Sequence, residues 1–346
     1  MNINYLSNTI PWFGSHTGYE QLPKFLKATE HQVHVTHSEK KLSNRFIGKL
    51  YSQYRGWKQQ NSYSSAAIFY FNISRSRGGK SIDHILYLEN YLVLLDSFQE
   101  TPKNIIGTIH LPPDQWTPQM LQNLKRLSSA TILYHRDIDF FESFVGVGRV
   151  KFVHYGVDTQ FFYPAPQNVK MERRILFAGH YLRNTAMLHR VIDKLSYLHP
   201  DLRFDLLVPE HARTAEGLLK LHEHPSVTWH KNLSDEELRQ LYQQSYILLL
   251  PMNSSGANTA VVESMACGLP IVTTDVGGIR DYGGGEIYPI VSNDDDTSMI
   301  SLVEKYLSEP DWRNKVSQDI CDFATQELDW NVVAQKHLNA YRELLA

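Results

Sequence analysis

Cysteine is scarce in this 346-residue chain, in which only Cys267 and Cys321 occur. There is no CxxC and no His/Cys ligand spacing, so neither a disulfide framework nor a structural zinc site is indicated. No apolar run approaches the roughly 20 residues that a membrane-spanning helix needs. The N-terminus, MNINYLSNTIP, lacks the basic region and apolar core of a signal peptide. We therefore predict a cytoplasmic protein.

The chain also has little excess charge of either sign. Its formal net charge is -3 and its apolar fraction is 42%, which at this length predicts a soluble globular protein of about two domains. Its one basic segment, residues 39–58, has no recognisable nucleic-acid-binding motif and no strands with aromatic residues that could stack on bases. No nucleic-acid partner is therefore predicted.

In the second half, short apolar runs alternate with helical periodicity, the pattern of βαβ units and a parallel sheet. We predict strands in the runs RRILFAG (173–179), FDLLVP (204–209), SVTWH (226–230), YILLLP (246–251) and IVTT (271–274). The intervening helices include TAMLHRVIDKLSYL and SDEELRQLYQQS, and in the latter Ser234 and Glu237 match a capping box.

The first half repeats this pattern less clearly. Strands are predicted near 3–6, 66–71, 104–110 and 130–135, with a helix to about Ala28 after a polar glycine loop. A segment rich in proline, glycine and polar residues between Val153 and Ile175 predicts a hinge. We expect an α/β protein of two doubly wound halves: an N-terminal domain over 1–160, a second domain over 161–329, and a closing helix at about 330–346 that packs back on the first.

The stretch GANTAVVESMACGLPIVTT (256–274) follows a predicted strand, where open parallel sheets bind ligands. Asn258 or Ser255 is placed to cap a helix that begins near Thr259, and the positive end of that helix favours phosphate. Glu263 lies roughly 6 to 7 Å further along the helix axis, about the separation of a phosphate from its ribose. The alternative is that Glu263 is a solvated helix residue.

PMNSSGANTAVVESMACGLPIVTTDVGGIRDY resembles the donor-site segment of retaining glycosyltransferases of family 4, the glycogen-synthase-like group. Three further segments match in the family's order, namely HYGVDTQFFYP, FAG (177–179) and DWNVVAQKHLNAYREL. Separated matches in the correct order are more specific than one glycine motif. The resemblance implies the GT-B fold, in which two Rossmann-like domains face each other across a cleft.

The resemblance also implies roles for single residues. Glu263 would hold the ribose of a nucleoside-diphosphate sugar, and Arg183 would neutralise the diphosphate. The implied donor-binding set is Gly14, Gly18, Gly179, Arg183, Ser255, Asn258, Thr259, Ala260 and Glu263, and the implied catalytic set is His110, which contacts the transferred sugar, and Arg183.

Three positions depart from the family's pattern. His180 and Asn184 stand where the family usually carries an arginine and a lysine, and Ser255 stands where it commonly carries the first of two glutamates. The first glutamate is usually placed beside the transferred sugar. Its replacement admits two alternatives, a different sugar contact through Ser255 and Asn258, or a loss of activity.

The implied chemistry is retaining transfer of a sugar from a nucleoside diphosphate, most simply UDP or GDP, to an acceptor hydroxyl, with no cofactor and no metal. Asp294 to Asp296 are interpreted as a solvated turn rather than metal ligands. The alternative is a non-catalytic sugar-nucleotide-binding or partner-binding protein on the same scaffold. A phosphorylase or epimerase is less favoured because no lysine motif for pyridoxal phosphate is visible.

The acceptor has one hint, the basic segment EKKLSNRFIGKLYSQYRGWK (39–58). Its apolar and aromatic residues recur at four-residue spacing, with lysine and arginine beside them, as in a helix attracted to anionic lipid. This predicts a peripheral membrane surface and a lipid or lipid-linked acceptor. The alternative is an ordinary helix on the first sheet, which leaves a soluble acceptor equally open.

Overall fold

The structure is a computed structural model that describes residues 1–8, 10, 14–27, 31–37, 50, 69, 81–96, 103–166 and 173–346. The chain divides into two compact units. The first comprises Met1–Phe13, Thr17–His154 and Trp330–Ala346, and the second comprises Gly14–His16 and Tyr155–Asp329. The strand predicted over 66–71 and the basic segment 39–58 lie outside the described residues, apart from Phe69 and Leu50.

In the first unit, six parallel strands form one sheet with the order β2-β1-β3-β4-β5-β6. The strands are β1 (Asn2–Ser7), β2 (Gln32–His37), β3 (Ser81–Ile85), β4 (Ile105–Ile109), β5 (Ser129–Ile132) and β6 (Val150–Phe152). The helices that accompany them in the described residues are α1 (Leu22–Lys27), α2 (Leu92–Leu95), α3 (Pro118–Leu124) and α4 (Ile138–Val145).

The predicted strands β1, β4 and β5 are confirmed, whereas β2, β3 and β6 were missed. Strand β3 is buried but contains Asp83 and His84, which break its apolar pattern. Asn4 Nδ2 donates a hydrogen bond of 2.7 Å to Asp83 Oδ1, so the buried carboxylate has a partner on the neighbouring strand. Polar pairs of this kind are formed between strands, and a scan for apolar runs does not detect them.

The closing helix α11 (Trp330–Leu345) belongs to the first unit. The hydroxyl of Tyr341 lies 2.8 Å from that of Tyr5 and 2.6 Å from His84 Nδ1, all three buried. One turn earlier, His337 Nε2 is 2.7 Å from the hydroxyl of Tyr19. These buried hydrogen bonds fix the position of α11 on the sheet, because an unmade bond there would leave a polar group unpaired.

The second unit contains another parallel sheet, with the order β12-β11-β10-β7-β8-β9. Its strands are β7 (Arg174–Ala178), β8 (Arg203–Leu207), β9 (Val227–His230), β10 (Ile247–Leu250), β11 (Ile271–Thr274) and β12 (Ile290–Val291). Its helices are α5 (Thr185–Leu198), α6 (Glu216–Lys220), α7 (Asp235–Gln244), α8 (Thr259–Ala266), α9 (Asp296–Ser308) and α10 (Pro310–Phe323).

The element series predicted for this unit is confirmed, including the capping box of Ser234 and Glu237 at the start of α7. Each unit is therefore a Rossmann-like doubly wound α/β domain, as expected. None of the helices within the described ranges has both the length and the apolar character that crossing a membrane requires.

Candidate functional site

The helix start predicted near Thr259 lies at the carboxyl end of β10. Asn258 is the N-cap of α8, and its Oδ1 accepts a hydrogen bond of 3.1 Å from the amide of Ala260. The cap therefore already occupies the Ala260 amide. Gly268, with φ of 65°, follows the end of the helix as predicted. The positive end of the α8 dipole is thus held at the edge of the sheet where ligands bind in open α/β folds.

The loop before α8 is fixed by a close approach of two backbone segments. The amide of Gly278 donates a hydrogen bond of 2.8 Å to the carbonyl of Ser255. Gly277 has φ of 57°, and a Cβ atom at this position would lie 1.8 Å from the same carbonyl oxygen. Ser255 itself is buried, and its hydroxyl donates to the carbonyl of Gly256 at 3.3 Å. Only glycine at 277 allows the loop to take this course.

Arg183 extends from the loop after β7 to the start of α8. Its Nη2 donates to Asn258 Oδ1 at 3.3 Å, its Nε to the carbonyl of Ala178 at 3.1 Å, and its Nη1 to the carbonyl of Tyr181 at 3.0 Å. A Cβ atom on Gly179 would lie 2.8 Å from Nη2, so the glycine makes room for the guanidinium.

These acceptors are neutral, and within the described residues no carboxylate pairs with Arg183. Burial lowers the pKa of Arg183 to about 10, and the guanidinium stays charged at neutral pH. An unpaired, partly desolvated cation beside a helix N-terminus is suited to bind an anion.

Glu263 is not a solvated helix residue, since only 3% of its surface is exposed. The hydroxyl of Tyr242, on α7, donates a hydrogen bond of 3.0 Å to Glu263 Oε2. Burial and the charge of Glu263 raise the pKa of Tyr242 well above its usual value, so the phenol remains the donor. The solvated alternative for Glu263 is therefore wrong, and Tyr242 is a site residue that the sequence did not reveal.

Asn184 stands where the family usually carries a lysine, and in this structure it has a structural role. It caps α5, accepting from the amide of Met187 at 3.0 Å, and its Nδ2 donates to Asn293 Oδ1 at 2.8 Å and Asp294 Oδ1 at 2.9 Å. Arg190 pairs with Asp294 at 3.2 Å and with Asp296. Asp294 lies in an exposed turn, as interpreted from the sequence, and its bonds to Asn184 and Arg190 also hold the loop before α9.

Gly14 and Gly18 were both assigned to the donor-binding set from the sequence, but they belong to different units of the structure. In the second unit, the amide of Ser15 donates to Asp235 Oδ2 at 2.8 Å, and a Cβ atom on Gly14 would lie 1.4 Å from Asp235 Oδ1. His16 stacks on Phe161 with ring centroids 3.8 Å apart. Asp235 is therefore a partner of the Gly14–Ser15 segment, which the sequence did not indicate.

Gly18 belongs to the first unit and has φ of 104°, a conformation that favours glycine. It precedes Tyr19, whose amide donates to the hydroxyl of Tyr87 at 3.0 Å. The Tyr87 hydroxyl in turn donates to Glu20, and burial raises the pKa of this carboxyl group. The glycine turn is thus joined to the chain that follows β3.

His110 follows β4, as predicted, and its Nε2 donates to the carbonyl of Leu86 at 2.7 Å. Its ring stacks on Tyr87, with centroids 4.9 Å apart. Glu89 Oε1 accepts from the amides of His110 at 2.6 Å and Leu111 at 3.0 Å. Burial lowers the pKa of His110, so its ring is neutral at pH 7 and Nδ1 is the unprotonated nitrogen.

The structure therefore brings together Gly179, Arg183, Asn258 and the start of α8 in the second unit. Glu263 lies on the same helix, and Thr259 and Ala260 form its first turn. His110 and Gly18 belong to the first unit. Among the described residues, no group of three side chains is arranged to hold a metal ion.

Comparison with known proteins finds matches in sequence and in fold. Residues 172–309 match the family model for glycosyl transferases group 1. The D-inositol 3-phosphate glycosyltransferase of Streptosporangium roseum is 22% identical over 79% of this chain and 66% of its own length. The MMP alpha-(1->4)-mannosyltransferase of Mycolicibacterium hassiacum is 25% identical over 56% of this chain and 48% of its own. The matches thus span less than two thirds of these relatives.

Two solved structures are similar over nearly the whole chain. The sucrose-phosphate synthase of Thermosynechococcus elongatus is 15% identical with a TM-score of 0.73, covering 99% of this chain and 98% of its own. The Anabaena protein HepE, in complex with UDP and glucose, is 13% identical with a TM-score of 0.73, covering 99% of this chain and 100% of its own. At these identities the similarity establishes the fold.

Proposed function

Because this chain has the GT-B fold of glycosyltransferases, we propose that it transfers a sugar from a nucleoside-diphosphate sugar to an acceptor hydroxyl, with retention at the anomeric carbon. The observation that carries the proposal is the contact of Arg183 with Asn258, the cap of α8, at 3.3 Å. This contact brings a cation with no carboxylate partner among the described residues next to a helix N-terminus, at the carboxyl edge of the second sheet. A diphosphate is an anion that both would stabilise.

In the proposed reaction, the acceptor oxygen bonds to the anomeric carbon while the bond from that carbon to the diphosphate breaks. Negative charge develops on the leaving oxygens, and the leaving phosphate takes up the proton of the acceptor hydroxyl. Arg183 and the positive end of the α8 dipole stabilise that charge as it forms, which is the usual source of large rate effects. Charge neutralisation by these groups makes a metal ion unnecessary in this proposal. Glu263, oriented by Tyr242, is assigned to the ribose hydroxyls.

His110 is assigned to the transferred sugar by the resemblance. Its lowered pKa and the bond from Nε2 to the Leu86 carbonyl leave Nδ1 as an acceptor for a sugar hydroxyl. The nucleotide is proposed to be UDP or GDP. HepE, of similar fold, has been solved with UDP-glucose, which makes UDP the first base to test.

The test is a thermal-shift and hydrolysis assay on the full chain with UDP-glucose, UDP-N-acetylglucosamine and GDP-mannose. One donor should stabilise the protein and release nucleoside diphosphate, and a ligand at about 100 times its dissociation constant adds roughly 2.7 kcal/mol. Arg183→Gln and Glu263→Gln should each lose most of the shift, while the exposed Lys220→Gln keeps it. If both site variants turned over donor as fast as the unchanged chain, this assignment of the site would be wrong.

A second candidate function is sugar-nucleotide binding without turnover. It is favoured by Ser255, which is 4% exposed and hydrogen-bonded to its own loop where the family commonly carries a glutamate. It is also favoured by Asn184, which is bonded to the 293–294 loop. This function predicts a thermal shift with a nucleotide and no release of diphosphate from any donor and acceptor pair.

The acceptor and the cellular location rest on the sequence. The basic segment 39–58 lies outside the described residues except for Leu50, which is 53% exposed. We keep peripheral association of a cytoplasmic enzyme with an anionic membrane, and a lipid-linked acceptor, as a proposal. Binding of the full chain to vesicles of phosphatidylcholine with phosphatidylglycerol, lost when the basic residues of 39–58 are replaced by glutamine, is the measurement that tests it.

A further inference from the structure

A cavity of about 620 Å³ opens on the first unit at the edge of the sheet where strands begin. Its walls come from the chain before β4, β5 and β6 and from the last turn of α11. Lys103, on this cavity, precedes β4, whereas His110 follows β4 at its other end. Six residues separate them, and the five that form β4 span roughly 17 Å. The cavity therefore lies away from His110 and the glycine turn of the same unit.

The cavity is lined by far more positive than negative charge. Its ionisable side chains are Lys103, Lys125, Arg149, Lys151 and Glu343. Lys151 Nζ lies 3.2 Å from Glu343 Oε2. In the described part of the chain, no carboxylate forms an ion pair with the other three cations. Four cations that converge on one concavity repel each other, and a bound anion relieves that repulsion.

A structural role for these cations accounts for only one of them. Positive side chains near the C-terminal end of a helix interact favourably with its dipole. Lys151, paired with Glu343 on the last turns of α11, fits this role. Lys103, Lys125 and Arg149 come from three different connections of the sheet. They converge without an ion-pair partner among the residues that the structure describes, and this is not needed to stabilise one helix end.

We propose that this cavity is a second ligand site, which binds a phosphate-bearing anion. A phosphate monoester carries nearly two negative charges and several acceptor oxygens, which suits three unpaired cations better than a single carboxylate does. The planar guanidinium of Arg149 can bind two phosphate oxygens at once, while the lysines act as point charges. The cavity volume is within the range of small-molecule sites.

The phosphate has two possible sources, a soluble metabolite and a lipid headgroup. The turn beside Arg149 bears on this, because Val147, between Gly146 and Gly148, is 90% exposed. An exposed apolar tip beside a cluster of cations suits a membrane surface, where the side chain inserts between lipids and the cations bind headgroups. Binding of a soluble phosphate does not depend on an exposed apolar side chain. The effect of replacing Val147 therefore distinguishes a soluble phosphate from a lipid headgroup.

The experiment uses the full chain carrying Arg183→Gln, so that the candidate cation of the second unit does not contribute. Pyrophosphate is titrated by calorimetry into this protein and into the same protein with Lys125→Gln and Arg149→Gln. We expect the two substitutions to weaken binding about tenfold each, since each removes a charge-assisted contact. Lys220→Gln, an exposed cation of the second unit, is the matched control and should change nothing. The unchanged chain is titrated in parallel, in case Arg183→Gln impairs folding.

Flotation on vesicles gives the second arm, with pure phosphatidylcholine and with phosphatidylcholine mixed with phosphatidylglycerol. Binding only to the mixed vesicles, lost in the Lys125→Gln and Arg149→Gln protein and weakened by Val147→Ser, assigns the site to a lipid headgroup. Pyrophosphate binding that is lost in the double variant and kept in Val147→Ser assigns it to a soluble phosphate. The proposal is overturned if neither probe binds, or if both bind the double variant as well as they bind its parent.

Discussion

The hydroxyl of Tyr242 donates a hydrogen bond of 3.0 Å to Oε2 of Glu263, and both side chains are buried. The two residues lie on different helices, α7 and α8. The bond gives one acceptor oxygen of a carboxyl group that is removed from water a partner within the protein. Such a carboxylate is suited to accept hydrogen bonds from ligand hydroxyls, which is the part assigned to Glu263 in the proposed site.

Replacing Tyr242 with phenylalanine should affect both stability and nucleotide binding. The loss of a hydrogen bond to a buried charged group costs roughly 1.5 to 3 kcal/mol, so the melting temperature should fall. Binding of UDP, or of whichever nucleotide binds, should weaken because Glu263 is no longer oriented. Thermal unfolding with and without nucleotide measures both effects. A variant that loses stability and keeps full nucleotide affinity would show that Tyr242 does not orient Glu263 for a ligand.

Gly277→Ala should distort the loop that leads into α8. The new Cβ would meet the Ser255 carbonyl at 1.8 Å, and φ is 57°. Gly148 is the matched control, since its φ is 73° and a Cβ atom added there would have nothing within 4 Å. Both substitutions cost about 1 kcal/mol for the backbone conformation.

Only Gly277→Ala adds the clash, and it should be clearly less stable and bind nucleotide more weakly. Chemical denaturation and nucleotide titration of the two variants provide the comparison. Equal losses of stability in both would mean that the close approach to Ser255 has no energetic weight.

Asn184→Ala should reduce stability and leave nucleotide affinity nearly unchanged. The substitution removes the cap of α5, worth about 1 kcal/mol, and both hydrogen bonds to the 293–294 loop. Faster amide exchange is expected at the start of α5 and over 293–296. Ser234→Ala, which removes the cap of α7, is a control with the same helix-capping chemistry and no link to that loop. A large loss of nucleotide affinity in Asn184→Ala alone would indicate that Asn184 contacts the donor.

The first unit should lose stability as the pH falls below about 6.5. Burial lowers the pKa of His337 to about 3 and that of His84 well below its usual value. The unfolded chain therefore takes up protons near pH 6.5 while the folded chain does not. The free energy of unfolding then decreases by about 1.4 kcal/mol per pH unit for His337 between about 6.5 and 3, and His84 adds a decrease in the same direction below about 6.5.

Amide exchange in α11, followed at several pH values, measures this dependence for the first unit alone. His337→Gln replaces the titrating ring with a neutral partner for Tyr19 and should reduce the slope by the contribution of one histidine. A slope that is the same in His337→Gln and in the unchanged chain would contradict the assignment.

Sequence patterns found the second unit well because its signals are local. The strand runs, the capping box of Ser234 and Glu237, and the cap at Asn258 each depend on neighbours within a few residues. The first unit was harder to predict. Strand β3 carries Asp83 and His84 in its buried interior, and their partners come from β1, β4 and α11, which no local window includes.

The sequence by itself thus determined the alternation of strands and helices, the glycine-led start of α8 and the placement of Glu263 on it, because these follow from periodicity and turn chemistry. Tertiary structure alone decided which side chains meet. Tyr242 reaches Glu263 across 21 positions, and Asn184 reaches Asp294 across 110. The same is true of the cations that converge before β4, β5 and β6. Contacts between residues distant in the chain depend on how the strands are ordered in each sheet. Local sequence patterns do not determine that order.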